Sequence, residues 1–509
     1  MKSAFQSGLC VLALAGGLLG PHPFAQATAP PESSAPEPVS GSAADRPLDQ
    51  ATLARAAALR DQALAGTGAY AIVEELTTQI GPRMAGTPAD ARAVDWAVAR
   101  FKALGYDRVW TEPVTFPVWE RGVEVARVIR PYPQSFAIAA LGGSVGTPEE
   151  GITAQVVAFD SYQDLLEGER EQVQGKIVYI GNRMRRARDG SGYGEAVIAR
   201  GRGASRAAAL GAQALLIRSI GTAAGSRTPH TGMLSYDIAF RRIPGAALSQ
   251  ADADLLEHML AGGEPVEIQL HLGAGERGDY TGHNVIAQID GREDSERFVL
   301  IGAHLDSWDL GTGALDDGAG LAITMTAGKM IADLPRQQRP RHGLRVVAWA
   351  AEEIGLHGAR QYAQAHADAV DNHLIGTESD FGSGRIWRFD SNVPDAALPL
   401  MAQVHQVLAP LGIERGHNQA FGGPDIGPMR QLGMPVAGLI QDGSRYFDYH
   451  HTVNDTLDKV DAGDLDQNVA AYVAFSYLVA EHGLPGHRAL ATPSQAGEDE
   501  AGQPSGSGD

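Results

Sequence analysis

The sequence predicts an α/β fold, a mixed and largely parallel sheet sandwiched between helices, with a β-rich unit inserted into it. Two observations predict the layered sheet and a third predicts the insertion. From residue 283 onward, strand-like runs alternate with helix-like runs, the pattern of successive βαβ units. Upstream, 48–104 carries apolar residues at helical spacing and supplies further helices. Between them, about 130–275 consists of short β-rich runs broken by turns. With 509 residues, 44% hydrophobic and 20% charged, the chain can bury two cores. We therefore expect one domain assembled from 48–129 and 276–488, interrupted by an insert at 130–275.

Taken in order, residues 1–27 read as a signal peptide. Lys2 gives the positive end, Leu9 to Leu19 the apolar stretch, and Ala25-Gln26-Ala27 a small-residue cleavage site. Export to the periplasm or the exterior is the expectation. The Pro-, Ala- and Ser-rich segment 28–47 is expected to be a disordered linker, and 489–509 a disordered tail. Leu53, Ala56, Leu59, Leu64 and Ile72 predict a helix over 48–80, and 85–104 predicts a second. VWTEPVTFPVW at 109–119 reads as a strand. Within the insert, ITAQVVAF, GKIVYIG, AQALLIRS, IPGAALS and VEIQLHL read as strands, with an Ala-rich helix near 202–211. The last region gives strands in NVIAQIDG, RFVLIGAHLD, LRVVAWAAEE, HLIGTESD and MPVAGLIQDG, and helices at 318–334, 356–368 and 464–482. Ligand sites in such sheets gather at the carboxyl ends of the strands.

Charge and composition remove several function classes. The formal net charge is -20, a field that repels nucleic acid and anionic membrane surfaces. Arg183, Arg185, Arg186 and Arg188 form a local basic run in a Gly-rich stretch, expected as a solvated loop. Beyond the signal segment no apolar run reaches membrane-spanning length, so no membrane span is expected. The single cysteine, Cys10, lies inside the signal segment, and Leu9 before it disfavours lipid attachment. A metal site in the remaining chain must therefore use His, Asp and Glu.

Such residues end four of the predicted strands. The strand at 297–303 runs into His304-Leu305-Asp306, that at 344–351 into Glu352-Glu353, and that at 374–377 into Glu378-Ser379-Asp380. The strand at 434–440 leads on to His450-His451, and Asp316-Asp317 stands at the mouth of a helix beginning Gly318-Ala319-Gly320. Each piece alone has a plainer explanation: an exposed His beside an acid, a helix N-cap, a solvated Glu pair, a packed loop. Their joint occurrence at strand ends favours a metal centre, and a donor set of imidazole and carboxylate suits zinc. Two His and three carboxylates divide naturally into two neighbouring sites with one shared Asp. A Glu beside a ligand Glu is placed to take a proton from a water between them.

The motifs GAHLDSW, GALDDGAG, AWAAEEIGLHGAR, TESD and YHHTVNDT resemble the co-catalytic zinc exopeptidase family. That family contains bacterial leucyl aminopeptidase, glutamate carboxypeptidase II and carboxypeptidase Q. The resemblance implies two zinc ions held by His304, Asp316, Glu353, Asp380 and His451, with Asp316 bridging and Glu352 as general base. It implies that Asp306 orients the His304 imidazole through its carboxylate, and that a cis peptide joins Asp316 to Asp317. His451 rather than His450 is taken as the ligand, because His451-Thr452 followed by Asp455-Thr456 matches the family spacing. Glutamate carboxypeptidase II has a tyrosine where this chain has His450, which makes His450 the candidate for oxyanion or substrate contact. GKIVYIGN, the Ala-rich helix and GAQALLIRS resemble a protease-associated domain. The insertion precedes His304 and Asp380 follows Glu353 closely, which separates this chain from zinc peptidases with a lid after the Glu-Glu pair. A peptide substrate, short peptides or dipeptides trimmed from one end, is implied, and the resemblance allows a homodimer. Asp309, Glu378, Tyr446 and Gly422-Gly423-Pro424-Asp425 are candidate substrate-facing residues. Two alternatives stay open: a single-zinc acyltransferase similar to glutaminyl cyclase, and a receptor-like binding protein without turnover.

Overall fold

The computed structural model describes residues 47–486. The predicted signal peptide, the linker apart from Pro47, and the 489–509 tail lie outside the described residues. In chain order the strands are β1 (Arg108–Glu120), β2 (Glu124–Arg130), β3 (Gln134–Phe136), β4 (Ile138–Ala140), β5 (Ile152–Phe159), β6 (Ile177–Ile180), β7 (Ala214–Arg218) and β8 (Gly245–Leu248). They continue with β9 (Glu267–Leu272), β10 (Gly275–Ile289), β11 (Phe298–His304), β12 (Gly343–Trp349), β13 (His373–Glu378), β14 (Ile386–Asn392), β15 (Glu414–Arg415) and β16 (Val436–Gln441).

Two eight-stranded sheets result. The first has the order β1-β10-β12-β11-β13-β16-β14-β15, with β12, β11, β13 and β16 mutually parallel at its centre and antiparallel pairs on either side. Every residue of β11 is buried, as expected of a parallel strand covered on both faces. Pro113 and Pro117 are tolerated in β1 because that strand is an edge, pairing with β10 alone. The second sheet runs β3-β2-β9-β5-β6-β7-β8-β4 and takes all its strands from residues between Glu124 and Leu272.

Helix Ala319–Ala332 is buried along nearly its whole length, apolar on all sides because it lies between the first sheet and the helices Ala69–Glu75 and Ala462–His482. Helix Pro88–Ala103 starts where the sequence signals it, with Thr87 capping the Asp90 N–H and Pro88 in the first turn. One expectation fails in its extent. The helix predicted over 48–80 is two segments, Gln50–Leu64 and Ala69–Glu75 running on to Ile80, because Gly66 and Gly68 adopt φ of 120° and 77° between them. The Ala-rich helix is longer than expected, Ser191–Ala209. Arg183, Arg185, Arg186 and Arg188 are exposed and paired with Asp or Glu, as a solvated loop should be.

Candidate metal centre

The carboxyl ends of β11, β12, β13 and β16 point to one place, and there the five expected ligands meet. β11 ends on His304, which is fully buried, and its Nδ1–H donates to the Asp306 carbonyl at 3.0 Å. That bond leaves the Nε2 lone pair facing Asp316 Oδ1 at 2.9 Å and Asp380 Oδ1 at 3.6 Å. On the other side, His451 Nε2 stands 3.2 Å from Asp316 Oδ2 and 3.0 Å from Glu353 Oε2. The Asp316 carboxylate thus gives one oxygen to each of two imidazoles. His450 stacks on His451 with ring centroids 3.5 Å apart, and its Nε2 lies 3.6 Å from Asp316 Oδ2.

Backbone hydrogen bonds hold this arrangement. The Asp316–Asp317 peptide is cis, as the motif implied. Asp317 accepts from the His304 N–H at 3.2 Å and the Gly320 N–H at 3.0 Å, tying the loop to β11 and to the following helix. Asp455 accepts from the Leu315 and Asp316 N–H groups at 2.6 and 3.2 Å. Arg83 is wholly buried and donates to the carbonyls of Leu305, Thr312 and Gly313. The role assigned to Asp306 needs correction. Its carboxylate is 3.8 Å from His304 Nδ1 and instead accepts from the Glu352 and Glu353 N–H groups at 3.0 and 3.3 Å. Asp306 orients His304 by its carbonyl and the Glu-Glu pair by its side chain.

Among the looser candidates, Asp309 is engaged bidentately by Arg121. Glu378 is buried, its Oε2 accepting from Asp425 N–H at 2.8 Å and its own N–H donating to Gly422 at 2.8 Å. Tyr446 packs 5.0 Å from the His450 ring. Neither Arg83 nor Asp455 was assigned a role from sequence.

The electrostatics are those of a cation site. Burial raises the Glu353 carboxyl to about 7, with Asp316 adding to the rise, and pushes Glu352 and Asp317 well up. Burial also opposes charging of His304 and His451, yet the facing carboxylates outweigh it and hold both well above the usual imidazole range. Asp316, despite burial, is held well below the usual carboxylate range by His304 and His451. Protons therefore bind where cations would. Asp316, Asp317, Glu352, Glu353 and Asp380 outnumber the imidazoles, an acidic excess that burial makes unfavourable without positive charge. Among the described residues Asp316 Oδ2 and Glu353 Oε1 also lack hydrogen-bond partners, and both residues line a small cavity with His451 and Trp308. The donor set, all imidazole nitrogen and carboxylate oxygen, fits zinc.

Comparison with known proteins agrees with this geometry. The model of peptidase family M28 matches residues 284–476, which run from within β10 through most of the last helix. Carboxypeptidase Q of Xenopus laevis is 38% identical over 79% of this chain and 83% of its own length. The crystal structure of a peptidase M28 precursor from Shewanella amazonensis SB2B superposes with a TM-score of 0.83 at 48% identity, covering 85% of this chain and 98% of that one. A zinc aminopeptidase from Bacillus subtilis shares the fold, with a TM-score of 0.57 at 20% identity over 82% of this chain and 98% of that one.

Proposed function

Because this chain belongs to peptidase family M28, we propose that it is a zinc-dependent exopeptidase acting on short peptides or dipeptides at a two-ion centre. The observation that carries the proposal is the division of the Asp316 carboxylate, with Oδ1 toward His304 and Oδ2 toward His451. His304 with Asp380 and His451 with Glu353 are then two half-sites that share one bridging side chain. Zinc ions held there would supply Lewis-acid polarisation of the scissile carbonyl and a water acidic enough to attack it near neutral pH.

The protein's own groups do the rest. Glu352, its N–H fixed by Asp306, accepts the proton of the attacking water and returns it to the amine nitrogen as the C–N bond breaks. Burial holds the Glu352 carboxyl well above the usual carboxylate range, the direction that favours its taking up a proton. His450 donates from Nε2 to the oxyanion of the tetrahedral intermediate, a role supported by the 3.6 Å approach of that nitrogen to Asp316 Oδ2.

The second sheet is proposed to be a protease-associated domain, and export and a homodimer complete the reading. Purified protein is tested by metal analysis together with a panel of dipeptides and aminoacyl amides, with and without chelator. Two zinc ions per chain and chelator-sensitive release of free amino acid are expected. A single tightly held zinc, with cyclisation of amino-terminal glutamine, would favour the acyltransferase alternative.

A further inference from the structure

The second sheet reaches the metal centre directly. We propose that its segment 230–233 is a clamp on the His450-His451 pair, with His230 and Arg200 as positioning residues that hold His451 ready for a metal ion. The inference rests on the two-ion reading and adds to it a function for the inserted unit.

His451 has a backbone φ of 60°, in the left-handed region that a side chain with a Cβ adopts only when held there. Two hydrogen bonds to Thr231 hold it. The Thr231 N–H donates to the His451 carbonyl at 3.0 Å, and His451 Nδ1–H donates to the Thr231 carbonyl at 3.3 Å. The second bond fixes the tautomer, since a carbonyl can only accept, and leaves the Nε2 lone pair toward Asp316 and Glu353.

The clamp is itself braced. His230, almost fully buried, donates from Nδ1 to the His450 carbonyl at 2.7 Å, while its own N–H donates to Ser219 Oγ at 2.8 Å. Among the described residues its Nε2 has no partner, so the polar contact of the buried ring is with the peptide that precedes the ligand. Arg200, on the helix Ser191–Ala209, is 7% exposed and donates to the carbonyls of Thr231 and Met233 and to the Tyr193 hydroxyl. No described carboxylate lies within ion-pair distance of it, an unfavourable burial that this bracing explains. Gly232, at φ 127°, lies between the two: a Cβ there would collide with Arg200 Nη1 and stand 2.9 Å from His451 Nδ1. Contacts that served only to glue the two sheets together would have no reason to converge on the ring nitrogen and backbone of one ligand.

Zinc affinity measured by chelator competition tests the clamp in the full chain, with the unfolding midpoint of the metal-free protein recorded alongside. His230→Phe is expected to weaken one ion about 10- to 100-fold, the same ion that His451→Ala loses, and to leave the other unchanged. His230→Asn, whose Nδ2–H stands where the imidazole Nδ1–H stood, is expected to restore most of the loss at an equal metal-free midpoint. Gly232→Ala should weaken the same ion. Unchanged binding of both ions by His230→Phe would overturn the proposal, as would equal weakening of both ions in step with a lowered midpoint. Should His230→Phe not fold, Arg200→Met against His230→Asn makes the same comparison, with selective loss expected in Arg200→Met only. Wild-type protein that binds no zinc would defeat the two-ion reading itself, before any variant is compared.

Discussion

Asp316 faces two imidazoles with two different oxygens, whereas a carboxylate in a single ion pair would turn both toward one partner. Its neighbours divide the labour in the same way. Glu353 points at His451, while Glu352 hangs from an N–H that Asp306 fixes. Glu352→Gln is therefore expected to keep both metals and to lower kcat by about 10²- to 10⁴-fold. Metal content measured with turnover checks this, and near-normal turnover would remove Glu352 from the mechanism. The candidate ligands His304, Glu353 and Asp380 were legible in the sequence because each lies at or just beyond the end of an apolar strand. The true job of Asp306 was not, since spacing places a carboxyl near His304 without saying which of its oxygens, backbone or side chain, makes the contact.

At the scale of elements, four parallel strands deliver the site, and their apolar runs made them readable before any coordinate was known. The loops between strand and ligand were less readable. Arg83 shows why: nothing in IGPRMAG marks one arginine as structural, and its three acceptors lie more than two hundred residues further along the chain. His230 and Thr231 are equally remote from the histidines they hold. The break at Gly66 and Gly68 was printed in the sequence but overruled by the helical spacing of the residues around it. Arg83→Met leaves three carbonyls without their donor in the buried turn that leads to Asp316. A loss of unfolding free energy of at least about 3 kcal/mol is expected, from about 1–3 kcal/mol per unsatisfied group. Chemical denaturation of the metal-free protein measures it, and a loss below about 1 kcal/mol would show that the guanidinium is dispensable to the loop.

For the molecule as a whole, acid should be destabilising. His373 begins β13, at the strand end opposite Asp380, and burial with Arg345 nearby brings its imidazole down to about 3. Burial likewise takes His230 down to about 4. The unfolded chain takes up these protons near the ordinary imidazole value of 6.5, the native chain only well below it. Stability is therefore held above pH 6.5 and lost as pH falls toward the native values. Relative to His373→Gln, the wild-type protein is expected to lose about 1.4 kcal/mol per pH unit between about pH 6 and pH 4. Parallel stability curves for the two proteins would contradict this. No described helix is long and apolar enough to cross a membrane. What the fold does provide is one buried meeting point for strand ends and for the second sheet. Anomalous diffraction at the zinc edge from crystals of the metal-loaded protein addresses that point most directly. Two peaks about 3.5–4 Å apart are predicted, one beside His304 and Asp380, the other beside His451 and Glu353, with Asp316 between them. A lone peak, or zinc bound away from Asp316, would contradict the account.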